Sequence, residues 1–143
     1  MKKLFLAILI SLSTSFSYAD NETESLNMEQ NKNELAYFLS SSIPEKTLAS
    51  LIKAAENQGV PVYFNGLIDD SVDKTAKYML YLVQKYKIQG VEIDPNRFEY
   101  YGVKAVPALV KRCGEAFDII YGSGSILQSL SIIDSEGDCR YEK

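Results

Sequence analysis

The sequence predicts an α/β protein: a three-layer sandwich with a mixed central β-sheet flanked by helices. Three observations predict it. Short apolar runs bounded by Ser, Gly or Asn alternate with longer segments of helical periodicity. The last two apolar runs are separated only by Cys113-Gly114-Glu115, which reads as a hairpin turn. The resulting order, β-α-β-α-β-α-β-β-α, calls for right-handed parallel crossovers followed by antiparallel strands.

The folded part does not begin at residue 1. Lys2 and Lys3 form a basic n-region, Leu4 to Leu12 (LFLAILISL) is apolar, and Ser17-Tyr18-Ala19 places small residues at −3 and −1. This is the pattern of a cleavable signal peptide over residues 1–19. The apolar run is shorter than the ~20 residues that a membrane-spanning helix needs, so no stable membrane insertion is expected after cleavage. Removing Lys2 and Lys3 takes the formal charge from −4 to −6. The expected product is a small acidic periplasmic protein, with both cysteines in an oxidising compartment. Residues 20–34 (DNETESLNMEQNKNE) carry only Leu26 and Met28 as large apolar groups. They are read as a flexible acidic tether, because they bury too little to offset the entropy of ordering. Residues 35–143 are the expected domain.

Within it, Leu35 to Ser40 reads as a buried strand. Ser42-Ile43-Pro44-Glu45 has capping-box form, with Ser42 and Glu45 each serving the other's backbone N–H and Pro44 in the first turn. Leu48, Leu51, Ile52 and Ala55 follow at helical spacing, and Gly59 ends the helix. Val60 to Phe64 is the second strand, and Asn65-Gly66 turns the chain. Asp70 or Ser71 caps a helix reaching about Tyr86, with Val72, Ala76, Met79, Leu80 and Val83 as its inner face. Val91 to Ile93 is a short strand. Asp94-Pro95 then starts a helix, Asp as N-cap and Pro at N1, carrying Phe98 and Tyr101 and ending at Gly102. Val103 to Arg112 and Ala116 to Tyr121 form the hairpin. Ser125 caps a last helix with Ile126, Leu127, Leu130 and Ile133 inside, stopping near Gly137.

Composition excludes several chemistries. There is no His, so neither a Ser-His-Asp nor a Cys-His site can be built, and no imidazole metal site. Two Cys do not make a closed zinc site. An acidic chain is not expected to bind nucleic acid. Asp69, Asp70 and Asp73 lack the Gly and terminal Glu of an EF-hand loop, and Asp70 and Asp73 are read as charges at a helix N-terminus. No metal or cofactor is expected. Ten Tyr and six Phe leave some aromatic surface, with Tyr78 and Tyr100 as candidates for an interface.

Two sets of motifs carry a resemblance. Residues 101–109 (YGVKAVPAL) are similar to the thioredoxin-fold segment in which a helix ends before a Val-Pro, and that resemblance implies a cis peptide at Val106-Pro107. Residues 37–45 (YFLSSSIPE), 61–67 (PVYFNGL), 93–98 (IDPNRF), 105–108 (AVPA), 114–122 (GEAFDIIYG) and 137–139 (GDC) together resemble TrbC, the pilin-assembly family of F-type conjugative transfer, a type IV secretion system. The match covers roughly residues 35–139. It departs at Asn65, where a basic residue is expected before Gly66-Leu67. The resemblance implies a thioredoxin-like domain in the periplasm, needed for pilus assembly and working with other transfer proteins such as a TraW-like one.

A redox thioredoxin carries Cys-x-x-Cys at the start of its first active helix, where the helix N-terminus lowers the thiolate pKa. The equivalent stretch here, Ser40 to Pro44, has no Cys. Its serines have no His to act as base. The protein is therefore expected not to be an enzyme. Cys113 and Cys139 have two readings: a structural disulfide, or a redox pair making the protein a thiol–disulfide oxidoreductase. The structural bridge is preferred in an oxidising compartment. The expected partner-binding rim combines Ser41, Ser42, Ile43 and Pro44 with Asn65, Gly66 and Leu67 and with Val106, which precedes Pro107 and can pair with an extended peptide. A general periplasmic binding domain unrelated to conjugation is the remaining alternative.

Overall fold

The computed structural model describes residues 32–140. The expected signal peptide of residues 1–19 and nearly all of the expected tether lie outside the described residues.

Five strands form one sheet in the order β3-β2-β1-β4-β5. They are β1 (Asn33–Leu39), β2 (Val62–Phe64), β3 (Glu92–Ile93), β4 (Ala108–Cys113) and β5 (Ala116–Tyr121). β1 pairs parallel with β2, and β2 with β3. β4 runs antiparallel to both β1 and β5. The helices are α1 (Glu45–Asn57), α2 (Val72–Tyr86), α3 (Pro95–Tyr100) and α4 (Ile126–Glu136), with a 3-10 turn at Ile68–Asp70 before α2.

The pleat separates two cores, because successive side chains on a strand point to opposite faces. Tyr37, Leu39, Val62, Phe64 and Leu109 meet α1, α2 and α4 through Leu48, Ile52, Leu82 and Ile126. Ala36, Phe38, Tyr63, Ala108 and Val110 meet α3 and the turn after it through Phe98 and Tyr101. Phe38 is at the centre of the second core, edge-on to Phe98 at 4.7 Å. Three helices thus cover one face and a single six-residue helix covers the other. Helices on both faces were expected, and this asymmetry was not.

Most caps follow the residues. Ser71 and Ser125 accept from Lys74 N and Gln128 N. Asp94 Oδ1 accepts from Arg97 N at 2.9 Å, with Pro95 following it. At the end of α1, Gly59 takes φ 67°, and Gly59 N and Val60 N donate to Glu56 O and Ala55 O. This paired closure needs a left-handed residue, which Gly adopts without steric cost.

Several sequence expectations are corrected. The capping box does not form: α1 begins at Glu45 behind Pro44, with no side-chain cap. Ser42 instead bonds to Ser40, through its N–H at 3.1 Å and through its hydroxyl. Strand β1 starts at Asn33, two residues inside the expected tether, because Asn33 and Glu34 pair with Cys113 and Arg112. Strands β2 and β4 are shorter at their starts than expected. The inner face of α2 is rotated. Val72 is 70% and Leu80 56% exposed and Ala76 is exposed, whereas Thr75 and Leu82 are buried and Tyr78, Met79, Val83 and Tyr86 pack inward. The physical reason lies at the start of the helix. Thr75 Oγ1 accepts from Ile68 N at 2.8 Å and donates to Ser71 O at 2.7 Å, which turns Thr75 inward against the 3-10 turn. Leu127 of α4 is likewise 59% exposed, and Ser129 takes the inward place.

Candidate functional site

Strand register brings the three expected rim segments to one end of the sheet. Leu39 pairs with Phe64, so the loops that follow, 40–44 and 65–67, leave neighbouring strand ends. Phe38 pairs with Ala108, which places Val106-Pro107 beside the same end. The Val106-Pro107 bond is cis. Pro107 O accepts from Gly122 N at 2.9 Å, fixing the entry to β4 against the exit from β5. Ser41, Ser42, Pro44, Asn65, Gly66 and Leu67 are exposed. Ile43 and Val106 are half-buried and pack against the two cores.

Beside this end, Glu45 opens α1 and is drawn to α2. Its Oε1 accepts from Lys85 Nζ at 2.6 Å, Tyr86 OH at 2.6 Å and Tyr81 OH at 3.0 Å. The ammonium of Lys85 also lies over the Tyr81 and Tyr86 rings at 5.0 and 5.2 Å. The hydrogen bond from Lys85, then those from Tyr86 and Tyr81, lower the Glu45 pKa to about 2. In return Glu45 raises the pKa of Lys85 and of Tyr86. Glu45 therefore stays ionised and anchored, and it does not act as a general acid near neutral pH.

A second polar cluster lies under α3. Arg97 forks Glu34 through Nε and Nη2 at 2.9 and 3.1 Å and reaches Asp94 Oδ2 through Nη1 at 2.7 Å. Its guanidinium also stacks over the Tyr63 ring at 4.5 Å. Burial opposes the Arg97 charge, but the hydrogen bonds to Glu34 and Asp94 outweigh it and raise its pKa. Burial, and then the nearby Glu34 charge, push the Tyr101 phenol well above its ordinary value. Both clusters were missed from the sequence. The i,i+3 spacing of Asp94 and Arg97 was a signal for one contact, but nothing local pointed to Glu34 or Glu45.

Cys113 and Cys139 are joined in a disulfide, with Cα atoms 5.5 Å apart across 26 residues. Asp118 secures the far side of this bridge, its carboxylate accepting from Asp138 N at 3.0 Å and Cys139 N at 2.7 Å. Cys113 pairs with Asn33, the first residue of β1, whereas the loop of residues 40–44 follows its last. At about 3.3 Å per strand residue the bridge and the rim are roughly 20 Å apart. A cavity of about 470 Å³ adjoins the bridge, lined by Glu34, Lys111, Arg112, Cys113, Cys139 and Arg140 among others. Among the described residues there is no cluster of three His, Cys, Asp or Glu that could hold a metal. Asp69 and Asp70 adopt left-handed backbone, and Asp69 and Asp73 are taken up by Lys74 and Lys77.

The strand order, the antiparallel hairpin and the cis-Pro entering it define a thioredoxin-like protein whose cysteines are not in a Cys-x-x-Cys arrangement. Residues 37–133 match the family described as type-F conjugative transfer system pilin assembly protein, TrbC, and the chain belongs to that family. It is 38% identical over 104 residues to the periplasmic protein TrbC of Escherichia coli K12, a match covering 73% of this chain and 49% of that protein. The chain thus spans about half the length of this curated relative. Its localisation is periplasmic, in agreement with the leader read from the sequence. No helix among the described residues is long and apolar enough to cross a membrane.

Two solved structures are similar in fold. One is a secreted disulfide oxidoreductase of Mycobacterium tuberculosis, at TM-score 0.42 and 18% identity over 69% of this chain and 75% of that one. The other is the thioredoxin domain of a thiol–disulfide oxidoreductase from Bacteroides vulgatus, at TM-score 0.34 and 17% identity over 65% and 76%. By itself so distant a likeness assigns no activity. The expectation that the protein is not an enzyme is nevertheless corrected. The chain holds a disulfide of its own, Cys113–Cys139, a group capable of thiol–disulfide exchange, and that expectation does not stand beside it.

Proposed function

We propose that the protein serves pilin assembly in an F-type conjugative transfer system, acting through protein–protein contact at the rim formed by residues 41–44, 65–67 and Val106. Family membership over residues 37–133 is the observation that carries this reading. The rim supports it, since exposed loops gathered beside the cis-Pro leave backbone and side chains accessible to an extended peptide. The partner is another periplasmic transfer protein of the TraW type.

The test measures binding of a purified TraW-like protein to the wild-type chain and to Leu67→Asp. Leu67 is 37% exposed, so a charge there leaves the cores intact. The reading requires that Leu67→Asp remain folded by circular dichroism and lose binding. Full binding by that variant removes the rim, and normal pilus production in cells lacking the gene removes the function.

A second reading rests on the Cys113–Cys139 bridge: thiol–disulfide exchange at the end of the sheet away from the rim. Lys111, Arg112 and Arg140 around the adjoining cavity would favour a thiolate there. Insulin reduction that disappears in Cys113→Ser supports it, and no turnover by the wild-type chain dismisses it.

A further inference from the structure

One phenol in the larger core has no use in the fold. Tyr37, on the central strand β1, is 2% exposed, and its hydroxyl makes no hydrogen bond to the protein. Burying a hydroxyl unpaired is costly, and for packing alone a Phe would serve. Burial alone raises the Tyr37 pKa, so the phenol stays protonated and is a donor. Its ring rises from the sheet toward α1 and α4, where it forms the floor of a cavity of about 390 Å³.

The N-terminus of α4 opens on the same cavity, which Ser123, Ser125, Ile126 and Leu127 line from that side. Ile126 and Leu127 are the first two residues of this 11-residue helix, so their N–H groups have no acceptor within it. The Ser125 hydroxyl accepts from Gln128 N instead, and no other described group takes those two N–H groups. From α1, Ser50 and Asn57 add polar side chains, and Leu51 and Ala54 add apolar surface. None of the described residues lining the cavity carries a charge. A buried phenol donor and the positive end of a helix thus share one cavity that holds no anionic side chain to answer them.

We propose that this cavity binds a monocarboxylate borne on a small apolar group. The carboxylate is received by the Tyr37 hydroxyl and the Ile126 and Leu127 N–H groups, and the apolar part lies against Leu51 and Ala54. The charge follows from the lining. A helix N-terminus carries about half a unit of positive charge, which together with neutral donors suits a single negative charge. A phosphate dianion calls for Lys or Arg, and neither lines the cavity. The volume is at the small end of the range for ligand cavities, which fits a short branched acid or the last residue of a peptide chain. Those two sources present the same chemistry. The site shares no residue with the rim or with the cavity beside the disulfide, so the proposal is independent of both.

Amide NMR shifts of Ile126 and Leu127 in the mature chain test it, read as isovalerate, N-acetyl-leucine or N-acetyl-leucinamide is added. Saturable shifts at millimolar concentration are expected with a carboxylate and not with the leucinamide, which keeps the apolar body and lacks the charge. Binding of isovalerate assigns the site to a free acid. Binding of N-acetyl-leucine without isovalerate assigns it to a chain terminus. Tyr37→Phe should weaken binding about tenfold without lowering the Tm of the ligand-free protein, because no hydrogen bond is lost there. Leu127→Asp, at a position 59% exposed, should remain folded by circular dichroism, since an acid in the first turn suits the helix. It should nevertheless lose binding, through like charge at the mouth of the cavity. No saturable shift with either acid, or equal binding of the leucinamide, overturns the proposal. So does unchanged affinity in Tyr37→Phe or in folded Leu127→Asp. A lowered Tm in ligand-free Tyr37→Phe also overturns it, because the hydroxyl would then serve the fold.

Discussion

Arg97 reaches across 63 residues of sequence to fork Glu34, at 2.9 and 3.1 Å. One partner opens the central strand and the other lies in the helix that leads to the cis-Pro segment. Their side chains are only 7% and 18% exposed. Removing Arg97 takes the bidentate counter-charge from buried Glu34, and removing Glu34 leaves Arg97 held by Asp94 only; breaking such a pair from one side costs more than the pair contributes. Arg97→Ala and Glu34→Ala are each expected to lose about 2–3 kcal/mol in urea unfolding. The double variant should cost clearly less than the sum of the two. Additive losses would show that the fork does not couple strand to helix.

The Cys113–Cys139 bridge closes a loop with a sequence separation of 26. In the chain-entropy account a loop of that size contributes about 3–4 kcal/mol by restricting the unfolded chain. Cys113→Ser with Cys139→Ser should therefore lower the urea midpoint strongly while leaving the strand order intact. Reduction of the wild-type protein should reproduce the loss. Stability unchanged by both treatments would mean that Asp118 alone holds the end of the chain.

Glu45 links the pH axis to the α1–α2 contact. Its pKa is lowered from 4.5 to about 2 in the folded protein. An acid with a lowered folded value contributes stability above its unfolded value, and that stability is lost as pH falls toward the folded one. The contribution is full above about pH 4.5 and disappears between there and about pH 2. Glu45→Gln should flatten the fall of Tm over that window and have lower Tm than wild type at neutral pH. An unchanged acid profile in the variant would assign the acid sensitivity elsewhere.

Gly137 is required by close approach rather than by its backbone angle. A Cβ there would lie 2.6 Å from Asp118 Oδ2 and 2.8 Å from Ile133 O. Gly137→Ala must displace the carboxylate that receives Asp138 N and Cys139 N, and is expected to cost about 1–3 kcal/mol. The same variant should make the disulfide easier to reduce, as followed by thiol titration under graded dithiothreitol. Equal rates would show that Asp118 does not shield the bridge.

The orientation of α2 gives opposite expectations for neighbouring leucines. Leu82 is fully buried, so Leu82→Ala should cost about 2–5 kcal/mol. Leu80 is 56% exposed, so Leu80→Ser should stay within about 0.5 kcal/mol. Thermal melts of the two variants separate this helix face from the one read off the sequence.

That helix shows where local pattern stops being informative. Val72, Ala76 and Leu80 have helical spacing and apolar side chains, yet they face solvent. Periodicity reports that a stripe exists, not which of two adjacent stripes meets the sheet. The inward turn of Thr75 decides that, through hydrogen bonds to Ile68 N and Ser71 O. Glu45 shows the same limit: its spacing from Ser42 fits a cap, but Lys85, Tyr81 and Tyr86 offer three donors from another helix and win.

By itself the sequence determined the element order, the caps at Asp94 and Ser125, a cap at Asp70 or Ser71, the hairpin, and the lack of Cys at the head of α1. Each of these depends on residues within a few positions of one another, so the local chain carries the information. Through its motifs it also determined the family. Only the tertiary structure decided which strands are neighbours, that Cys113 meets Cys139, that Arg97 meets Glu34, and that one face of the sheet is thinly covered with β5 at its edge. Those contacts join residues tens of positions apart. They exist because packing the two faces of one sheet brings distant segments together, and no local propensity encodes which segments those are.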